Sequence, residues 1–240
     1  MITLHVGTGQ TQTAVSLMPR NLDDCVREMA LVEQKQAAID ILEWRLDYWQ
    51  TPATLLTAGH QIAACKHPVI LTLRTTHDGG LADPTDYLDR YTALLSAQIG
   101  DVVDIEWSLP EAVRKAVSAL ARANGYQVLL SHHDLKTTPD NLTLQKQLAA
   151  MHATHPDMLK LATTAQSNED TTRLMAITQS FTHDHTTPLI TMAMSEFGLA
   201  SRIFGGQFGS AVSFGYLEHP SAPGQLPIEQ LKGLLTMHQN

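Results

Sequence analysis

A single lysine, Lys160, lies within the apolar run 158–164. Lysine is rarely buried without a partner, and a low-dielectric environment disfavours the ammonium form and lowers its pKa. A neutral amine at the end of a strand is a nucleophile toward ketones, with which it forms a Schiff base. The alternative is that Lys160 reaches solvent from the strand end or pairs with a carboxylate. This segment alone is therefore compatible with covalent catalysis without requiring it.

A second candidate group is an imidazole in the sequence Ser-His-His-Asp at 131–134. Neighbouring side chains on a strand point to opposite faces, so only one of His132 and His133 can face a shared interior. An inward histidine near a neutral lysine suits general acid–base catalysis at neutral pH, and Asp104 or Glu106 could fix its tautomer. Because the two histidines diverge, we predict no metal site here.

Charged or titratable groups stand at the C-terminal ends of five predicted strands that are otherwise apolar. These groups are Glu43 and Arg45, Arg74, Asp104 and Glu106, His133, and Lys160. A single polar strand end is explained by solvation. Five ends that together carry a lysine, a histidine and two arginines indicate one shared site, because active sites of parallel barrels form where the strand C-termini converge.

Eight short apolar runs alternate with helical segments along the chain. The predicted strands span residues 14–18, 38–45, 69–74, 102–107, 127–133, 158–164, 188–194 and 210–215. This alternation predicts βα units around a parallel sheet, and eight units in 240 residues match a (β/α)8 TIM barrel of the α/β class. A doubly wound sheet is the alternative, but no G-x-G-x-x-G motif follows the first strand.

The remaining segments complete the predicted architecture. Ile2 to Val6 alternates apolar and polar residues, and Gly7-Thr8-Gly9 is typical of a turn, which together predict a short N-terminal β-hairpin. No linker or break in composition divides the sequence. We therefore expect one (β/α)8 barrel domain over residues 1–240.

The composition restricts the class of partner. A net charge of -8 argues against nucleic acid or an anionic membrane as the main partner. No apolar run reaches the roughly 18–20 residues of a membrane span, and Met1 is not followed by the pattern of a signal peptide. Cys25 and Cys65 have no metal or redox spacing, and free thiols suit a reducing cytoplasm. We expect a cytoplasmic protein that acts on a small molecule.

Eight short motifs follow one another along the chain. They are Glu-Trp-Arg-Leu-Asp at 43–47, Leu-Arg-Thr at 73–75, Ser-His-His-Asp at 131–134, the Lys160 strand, Thr-Met-Ala-Met at 191–194, Ser-Arg at 201–202, Phe-Gly-Ser-Ala at 208–211 and Ser-Ala-Pro-Gly-Gln at 221–225. The same motifs occur in this order in type I 3-dehydroquinate dehydratases, and the sequence resembles that family from Met18 to Gln225.

The resemblance implies a fold and a reaction. The fold is a (β/α)8 barrel. The reaction converts 3-dehydroquinate to 3-dehydroshikimate and water in the shikimate pathway, by syn elimination through a lysine Schiff base and without metal or organic cofactor. Because the family is often dimeric, the resemblance also implies a homodimer.

Residue roles follow from the same resemblance by position. It implies that Lys160 forms the imine, that His133 transfers the proton, and that Arg202 binds the substrate carboxylate, a role that suits guanidinium geometry. The groups that would hold the ring hydroxyls are Glu43, Arg45, Arg74, Ser221 and Gln225. The supporting residues would be Asp104, which orients His133, Met192 and Met194, which form an apolar wall, and Ala222 in a loop that closes over the substrate.

Two positions depart from the family pattern. Asp78 precedes Gly79-Gly80 where the family often has glutamate, and a side chain one methylene shorter could reach the site only through water, which leaves its role open. His132 stands where asparagine is common. A register shift of one residue would exchange the faces of His132 and His133, but the spacing to Asp134 favours His133.

Two other functions fit part of this pattern. A class I aldolase barrel also uses a strand lysine, but such enzymes usually keep a glycine-rich phosphate site after the last strands, for which Gly205-Gly206 is short. A non-catalytic protein that binds a carboxylated polyol would need no nucleophilic amine. The combination of Lys160, His133 and Arg202 therefore favours a Schiff-base dehydratase.

Overall fold

Eight parallel strands, each followed by a helix, form the centre of the protein in a computed structural model that describes residues 2–239. The strands are β1 (Gln12–Leu17), β2 (Ile41–Arg45), β3 (Val69–Thr72), β4 (Val102–Glu106), β5 (Gln127–Asp134), β6 (Met158–Thr164), β7 (Leu189–Met194) and β8 (Val212–Gly215). The α-helices are α1 (Leu22–Gln34), α2 (Leu55–Ala63), α3 (Tyr87–Ser96), α4 (Glu111–Ala123), α5 (Asn141–His152), α6 (Asn168–Asp184), α7 (Leu199–Phe204) and α8 (Ile228–Gln239).

The strands follow the sheet order β7-β6-β5-β4-β3-β2-β1-β8, in which chain neighbours are spatial neighbours and β1 also pairs with β8. This order confirms the predicted (β/α)8 barrel. The predicted strands match the observed ones closely. The largest difference is at β2, which begins at Ile41 instead of Ala38 because Gln36–Ala38 forms a 3-10 turn.

The seam of the barrel lies between β7 and β8. Within residues 2–239 the backbone of these two edges forms one isolated bridge, between Leu189 and Ser210. The Ser210 hydroxyl supplements it, accepting from the Thr191 amide at 3.0 Å and donating to the Thr191 carbonyl at 3.2 Å. A side chain thus supplies contacts that a strand ladder supplies elsewhere in the ring.

Inward and outward side chains alternate along each strand and form two cores. Outward residues such as Trp44, Leu71 and Leu161 pack under the helices. The inward residues near the strand N-termini form a separate apolar plug at the bottom of the barrel, made of Ala14, Ile41, Ile70, Val102, Leu129, Met158, Ile190 and Val212. Two residues further along most of these strands, the inward position becomes polar. This change of polarity along most of the strands places the site at the C-terminal end of the barrel.

The predicted N-terminal β-hairpin is wrong. Residues 2–10 form no strand, and Leu4 and Val6 are buried against the apolar plug. The Gln127 side chain accepts from the Leu4 amide at 2.7 Å and donates to its carbonyl at 3.2 Å, and the Ile2 amide donates to Asp101. The alternating pattern belongs to a segment without a partner strand that closes the bottom of the barrel. Side chains of Asp101 and Gln127 bind its backbone groups, as a second strand would in a hairpin.

Candidate active site

Lys160 points into the barrel from β6 and is 4% exposed. Its Nζ lies 3.0 Å from Glu43 Oε1 and 4.3 Å from the centre of the Phe214 ring. The lysine is therefore buried with a carboxylate partner, which is the pairing that the sequence left as an alternative. The pairing joins β2 to β6 across the barrel interior, so it and the inward orientation coexist.

Glu43 is the carboxylate that balances this lysine. Its Oε2 accepts from the Ser16 hydroxyl at 2.6 Å, and its Oε1 accepts from the Thr72 hydroxyl at 3.1 Å. Burial opposes ionisation of Glu43, but the charges of Lys160, Arg45 and Arg74 outweigh it and hold the pKa of that carboxyl well below its usual range. The interior of the barrel thus contains a stable anion next to the amine.

Arg74 occupies the middle of a buried charge network. Its Nη2 donates to Asp104 Oδ2 at 2.6 Å, and its Nη1 donates to Glu106 Oε1 at 3.1 Å and to the Ser131 hydroxyl at 2.9 Å. The acidic neighbours outweigh the effect of burial and raise the pKa of Arg74, so it remains a cation. The network connects the start of the loop after β3 with β4 and β5, just inside the expected mouth of the site.

The partner of His133 differs from the expectation. Asp104, predicted to orient this imidazole, is bonded instead to Arg74 and its neighbours, while His133 Nδ1 lies 3.2 Å from Asp78 Oδ2. The His133 amide donates to the same oxygen at 3.2 Å. The prediction for Asp104 is wrong because the loop after β3 folds over the C-terminal end of the barrel and places Asp78 in direct contact with His133.

The imidazole of His133 is neutral in this environment. Burial and the charges of Arg74 and Lys160 lower the pKa of His133 to about 4, although the hydrogen bond with Asp78 acts in the opposite direction. Burial likewise opposes ionisation of Asp78, yet the contact with His133 leaves the pKa of this carboxyl below its ordinary value. An ionised Asp78 can only accept, so the proton sits on Nδ1 and Nε2 carries a lone pair.

Arg202, on α7, is 2% exposed and has no carboxylate within ion-pair distance among residues 2–239. Its Nη2 donates to the Pro223 carbonyl at 2.9 Å and its Nη1 to the Phe214 carbonyl at 3.4 Å, while Nε has no partner among the described residues. Burial lowers the pKa of Arg202 to about 10, which leaves it charged at neutral pH. A buried guanidinium of this kind is suited to an anionic ligand.

The segment 221–225, after β8, closes the mouth of the barrel. Gln225 Oε1 accepts from the Ser221 amide at 2.7 Å, and the Ser221 hydroxyl lies 3.2 Å from the Ser16 hydroxyl, which in turn binds Glu43. Ala222 packs against the inner apolar cluster. The buried side chains that line the same wall are Met192, Met194 and Phe214.

Arg45 is paired with a carboxylate from the turn that follows β2. Asp47 binds it with two hydrogen bonds of 2.8 Å, and the guanidinium carbon lies 5.0 Å from the centre of the Tyr48 ring. The structure thus brings Lys160, His133, Glu43, Arg74 and Arg202 to one end of the barrel, with Arg45, Ser221 and Gln225 at its rim.

Three residues of the site were missed or left open by the sequence. Ser16 shares the inward side of β1 with the plug residue Ala14 and would have been found by extending the two-residue period. The contact of Asp78 with His133 and the pairing of Asp47 with Arg45 both depend on loop geometry, which no local pattern reveals. Groups of three or more metal-binding side chains, and helices long and apolar enough to cross a bilayer, are both absent from residues 2–239.

Comparison with known proteins agrees with this geometry. The family profile described as Type I 3-dehydroquinase matches residues 13–240. The 3-dehydroquinate dehydratase of Latilactobacillus sakei subsp. sakei strain 23K is 68% identical over 237 residues, which cover 98% of this chain and 99% of that protein.

Solved structures match as well. A crystal structure of the type I 3-dehydroquinate dehydratase from Clostridium difficile with covalently modified comenic acid superposes with a TM-score of 0.90 at 28% identity, covering 98% of this chain and 94% of that one. The 3-dehydroquinate dehydratase of Geobacillus kaustophilus HTA426 also gives 0.90, at 27% identity and with 96% and 91% coverage. From the profile match and the near full-length relative it follows that this chain belongs to the type I 3-dehydroquinase family.

Proposed function

We propose that the protein is a 3-dehydroquinate dehydratase, a hydro-lyase that converts 3-dehydroquinate to 3-dehydroshikimate and water in the shikimate pathway. The observation that carries this proposal is the arrangement of three groups in one barrel end. These are a buried amine on Lys160, a neutral imidazole on His133, and a buried guanidinium on Arg202 without a carboxylate of its own among the described residues. The names of the relatives supply the substrate.

Substrate binding uses the charges already in place. Arg202 pairs with the substrate carboxylate, which gives its buried charge the anion that residues 2–239 do not supply. The ring hydroxyls bind to the polar groups around the mouth, namely Glu43, Arg45, Arg74, Ser221 and Gln225. Met192, Met194 and Ala222 cover the apolar edge of the ring. The loop 221–225 then excludes water from the reacting carbon.

The covalent step requires Lys160 as a free amine. A substrate hydroxyl that binds Glu43 competes with the ammonium for that carboxylate, which weakens the ion pair of 3.0 Å and frees the lysine nitrogen to approach the ketone. The nitrogen then adds to the ketone carbon, and two of the three ammonium protons pass to the carbonyl oxygen, which leaves as water and leaves one hydrogen on the iminium nitrogen. The resulting iminium withdraws electrons from the neighbouring carbon and makes its hydrogen acidic.

His133 performs the elimination. Its Nε2 lone pair removes the proton next to the iminium carbon, and the Asp78 carboxylate at Nδ1 stabilises the imidazolium that forms. The same imidazolium protonates the departing hydroxyl, which requires both groups to leave from one face of the ring. Assistance of this kind contributes roughly 10²–10⁴-fold in rate. Hydrolysis of the product imine restores Lys160.

Borohydride trapping tests the proposal. Reduction in the presence of 3-dehydroquinate should leave a stable adduct whose peptide mass maps to Lys160, and Lys160→Ala should give neither adduct nor turnover. His133→Gln should still give the adduct but stall after it. Normal turnover by His133→Gln would assign the base to another residue. An adduct formed with sugar phosphates instead of 3-dehydroquinate would indicate an aldolase.

Several further expectations stay predictions. They are the homodimer, the single domain over residues 1–240, the cytoplasmic location, and the exclusion of nucleic acid, membrane, metal and organic cofactor from the protein's partners. Analytical ultracentrifugation measures the first directly, and a purified protein that turns over in the presence of a chelator tests the requirement for metal.

A further inference from the structure

Asp47 is a buried carboxylate that has no role in the proposed mechanism. It lies in the 3-10 turn Leu46–Tyr48 after β2, and its side chain is 0% exposed. Both of its oxygens accept from Arg45, Oδ1 from Nε and Oδ2 from Nη2, each at 2.8 Å. This planar pairing fixes the direction in which the guanidinium points.

Asp47 also contacts a second segment. Its Oδ2 accepts from the Leu81 amide at 3.2 Å. Leu81 belongs to the loop 74–82 after β3, which folds back on itself because the Ala82 amide donates to the Arg74 carbonyl at 3.0 Å and the Thr76 amide to the Ala82 carbonyl at 3.2 Å. A bond at Leu81 therefore fixes the returning arm of this loop relative to β2.

The same loop carries the partner of the base. Asp78 stands at its tip, 4% exposed, with Oδ2 3.2 Å from both the amide and the Nδ1 of His133. A displacement of the loop would move this carboxylate away from the imidazole. The bonds of Asp47 thus connect Arg45, which faces the substrate hydroxyls, with His133, which transfers the proton.

We propose that Asp47 is a positioning residue that aims Arg45 at the substrate and holds the loop carrying Asp78 in place, so that one carboxylate sets both substrate recognition and the orientation of the base. The inference rests on the proposed function. It predicts two separable effects, one on KM through Arg45 and one on kcat through Asp78 and His133, since misplacing a catalytic group by about 1 Å costs on the order of 100-fold in rate.

Three variants separate these effects. Asp47→Asn keeps the shape but removes the negative charge and replaces one acceptor oxygen with an NH2 donor, which weakens the pairing with Arg45 and the bond from the Leu81 amide. Leu81→Pro removes the amide hydrogen that Asp47 accepts and leaves Arg45 and Asp47 paired, and the Leu81 side chain is 62% exposed, so its loss changes little packing. Arg45→Met removes the cation and leaves the Leu81 amide in contact with Asp47.

The kinetic measurements are kcat, KM and the fraction of enzyme trapped as imine at steady state. The structural measurement is the Nδ1–H resonance of His133 in protein labelled with ¹⁵N-histidine. This resonance is assigned by its loss in His133→Gln. We expect Asp47→Asn to raise KM and lower kcat, each about tenfold or more, with more trapped imine and a shifted resonance. Leu81→Pro should lower kcat and shift the resonance with little effect on KM. Arg45→Met should raise KM and leave the resonance in place.

The inference is overturned if Asp47→Asn raises KM while kcat and the His133 resonance stay at their wild-type values, because Asp47 then serves Arg45 alone. A wild-type resonance in Leu81→Pro would also overturn it. If Asp47→Asn fails to fold, Leu81→Pro and Arg45→Met still decide the question, with melting temperature as the control. The resonance requires no turnover, so a failure of the proposed function, seen as absence of a wild-type adduct, remains distinguishable.

Discussion

Arg202 shows how a single residue can oppose stability in order to bind a ligand. Its charge is held inside the protein without a carboxylate among residues 2–239, and burial lowers its pKa to about 10. A cation whose pKa is lower in the folded protein than in the unfolded chain destabilises the fold at neutral pH, where both states are protonated. Two backbone carbonyls, of Phe214 and Pro223, compensate only in part.

Arg202→Met should therefore separate binding from stability. We expect KM to rise about 30-fold or more, because loss of one partner of a buried charge pair costs about 2–5 kcal/mol. The melting temperature should equal or exceed that of the wild type, since an uncompensated buried charge is replaced by a side chain of similar volume. Steady-state kinetics and thermal unfolding measure the two effects, and a clear fall in melting temperature would contradict the account.

The low pKa of His133 predicts the pH dependence of the reaction. Because the imidazole loses its proton near pH 4 instead of near 6.5, kcat/KM should stay high through mildly acidic pH and fall only as pH approaches about 4. Initial rates measured between pH 3.5 and 8 locate this acid limb of the pH profile. In Asp78→Asn the acid limb should move to lower pH, because the carboxylate that favours the imidazolium is gone. A limb near 6.5 in the wild type would show that His133 is solvated before the substrate binds.

The same shift has a consequence for stability. The pKa of His133 is lower in the folded protein than in an unfolded chain, so the unfolded chain binds a proton first as pH falls. This group therefore contributes a loss of unfolding free energy between about pH 6.5 and 4, and none above. Comparing urea denaturation of wild type and His133→Gln across this range measures the contribution. A difference independent of pH would contradict it.

At the scale of elements, the strands could be predicted and the loops could not. The apolar runs fixed the order of β1 to β8, and the charged strand ends located the site, because both follow from repeated local patterns. The 3.0 Å contact between Lys160 and Glu43 joins residues 117 positions apart, and Asp78 reaches His133 only through the fold of the loop 74–82. Choosing Asp78 over Asp104 as the partner of His133 required the geometry of that loop, which is set by tertiary contacts and not by sequence periodicity.

Gly80 is the residue that allows this loop to fold tightly. A Cβ at this position would collide with the backbone carbonyl and Cβ of Arg74. Gly80→Ala should therefore displace the loop, lower the free energy of unfolding by about 1–3 kcal/mol, and lower kcat because Asp78 moves with it. Gly233→Ala is the matched control. A Cβ there meets nothing within 4 Å on the exposed side of α8, and the change should stabilise the protein by about 0.5–1 kcal/mol. Equal unfolding midpoints for the two variants would exclude this role for Gly80.

At the scale of the whole molecule, the barrel has a polar end, where the candidate site lies, and an apolar end, where the plug packs. Leu4 and Val6 cover the apolar plug from below, at the end opposite the mouth. The expectation of a hairpin failed because the alternating pattern of residues 2–6 is also that of an extended segment with one buried side. The surface that this segment covers exists only once the eight strands have closed into a ring, so the sequence of residues 2–6 alone does not reveal it.

Leu4→Ala should consequently weaken the fold without affecting catalysis. Loss of a buried leucine side chain costs about 2–5 kcal/mol, while kcat and KM should remain within about twofold of the wild type because the site lies at the other end of the strands. His5→Ala, which changes an exposed neighbour, should alter the free energy of unfolding by less than about 0.5 kcal/mol. Urea denaturation with parallel kinetics distinguishes them, and a changed kcat in Leu4→Ala would reveal coupling between the two ends.

The seam between β7 and β8 is the place where the ring of strands has an isolated bridge instead of a ladder of backbone hydrogen bonds. In the described part of the chain, one backbone bridge and the Ser210 hydroxyl join its edges, and the connection between β7 and β8 carries α7 with Arg202. Lys160 and His133, by contrast, lie on strands that pair with a neighbour on both sides. Local opening has its lowest free energy where the fewest contacts must break. Amide hydrogens along this seam should therefore exchange with deuterated solvent before those beside the lysine. Local opening at the seam would then move Arg202 away from the substrate carboxylate, while Lys160 and His133 keep their positions on the paired strands.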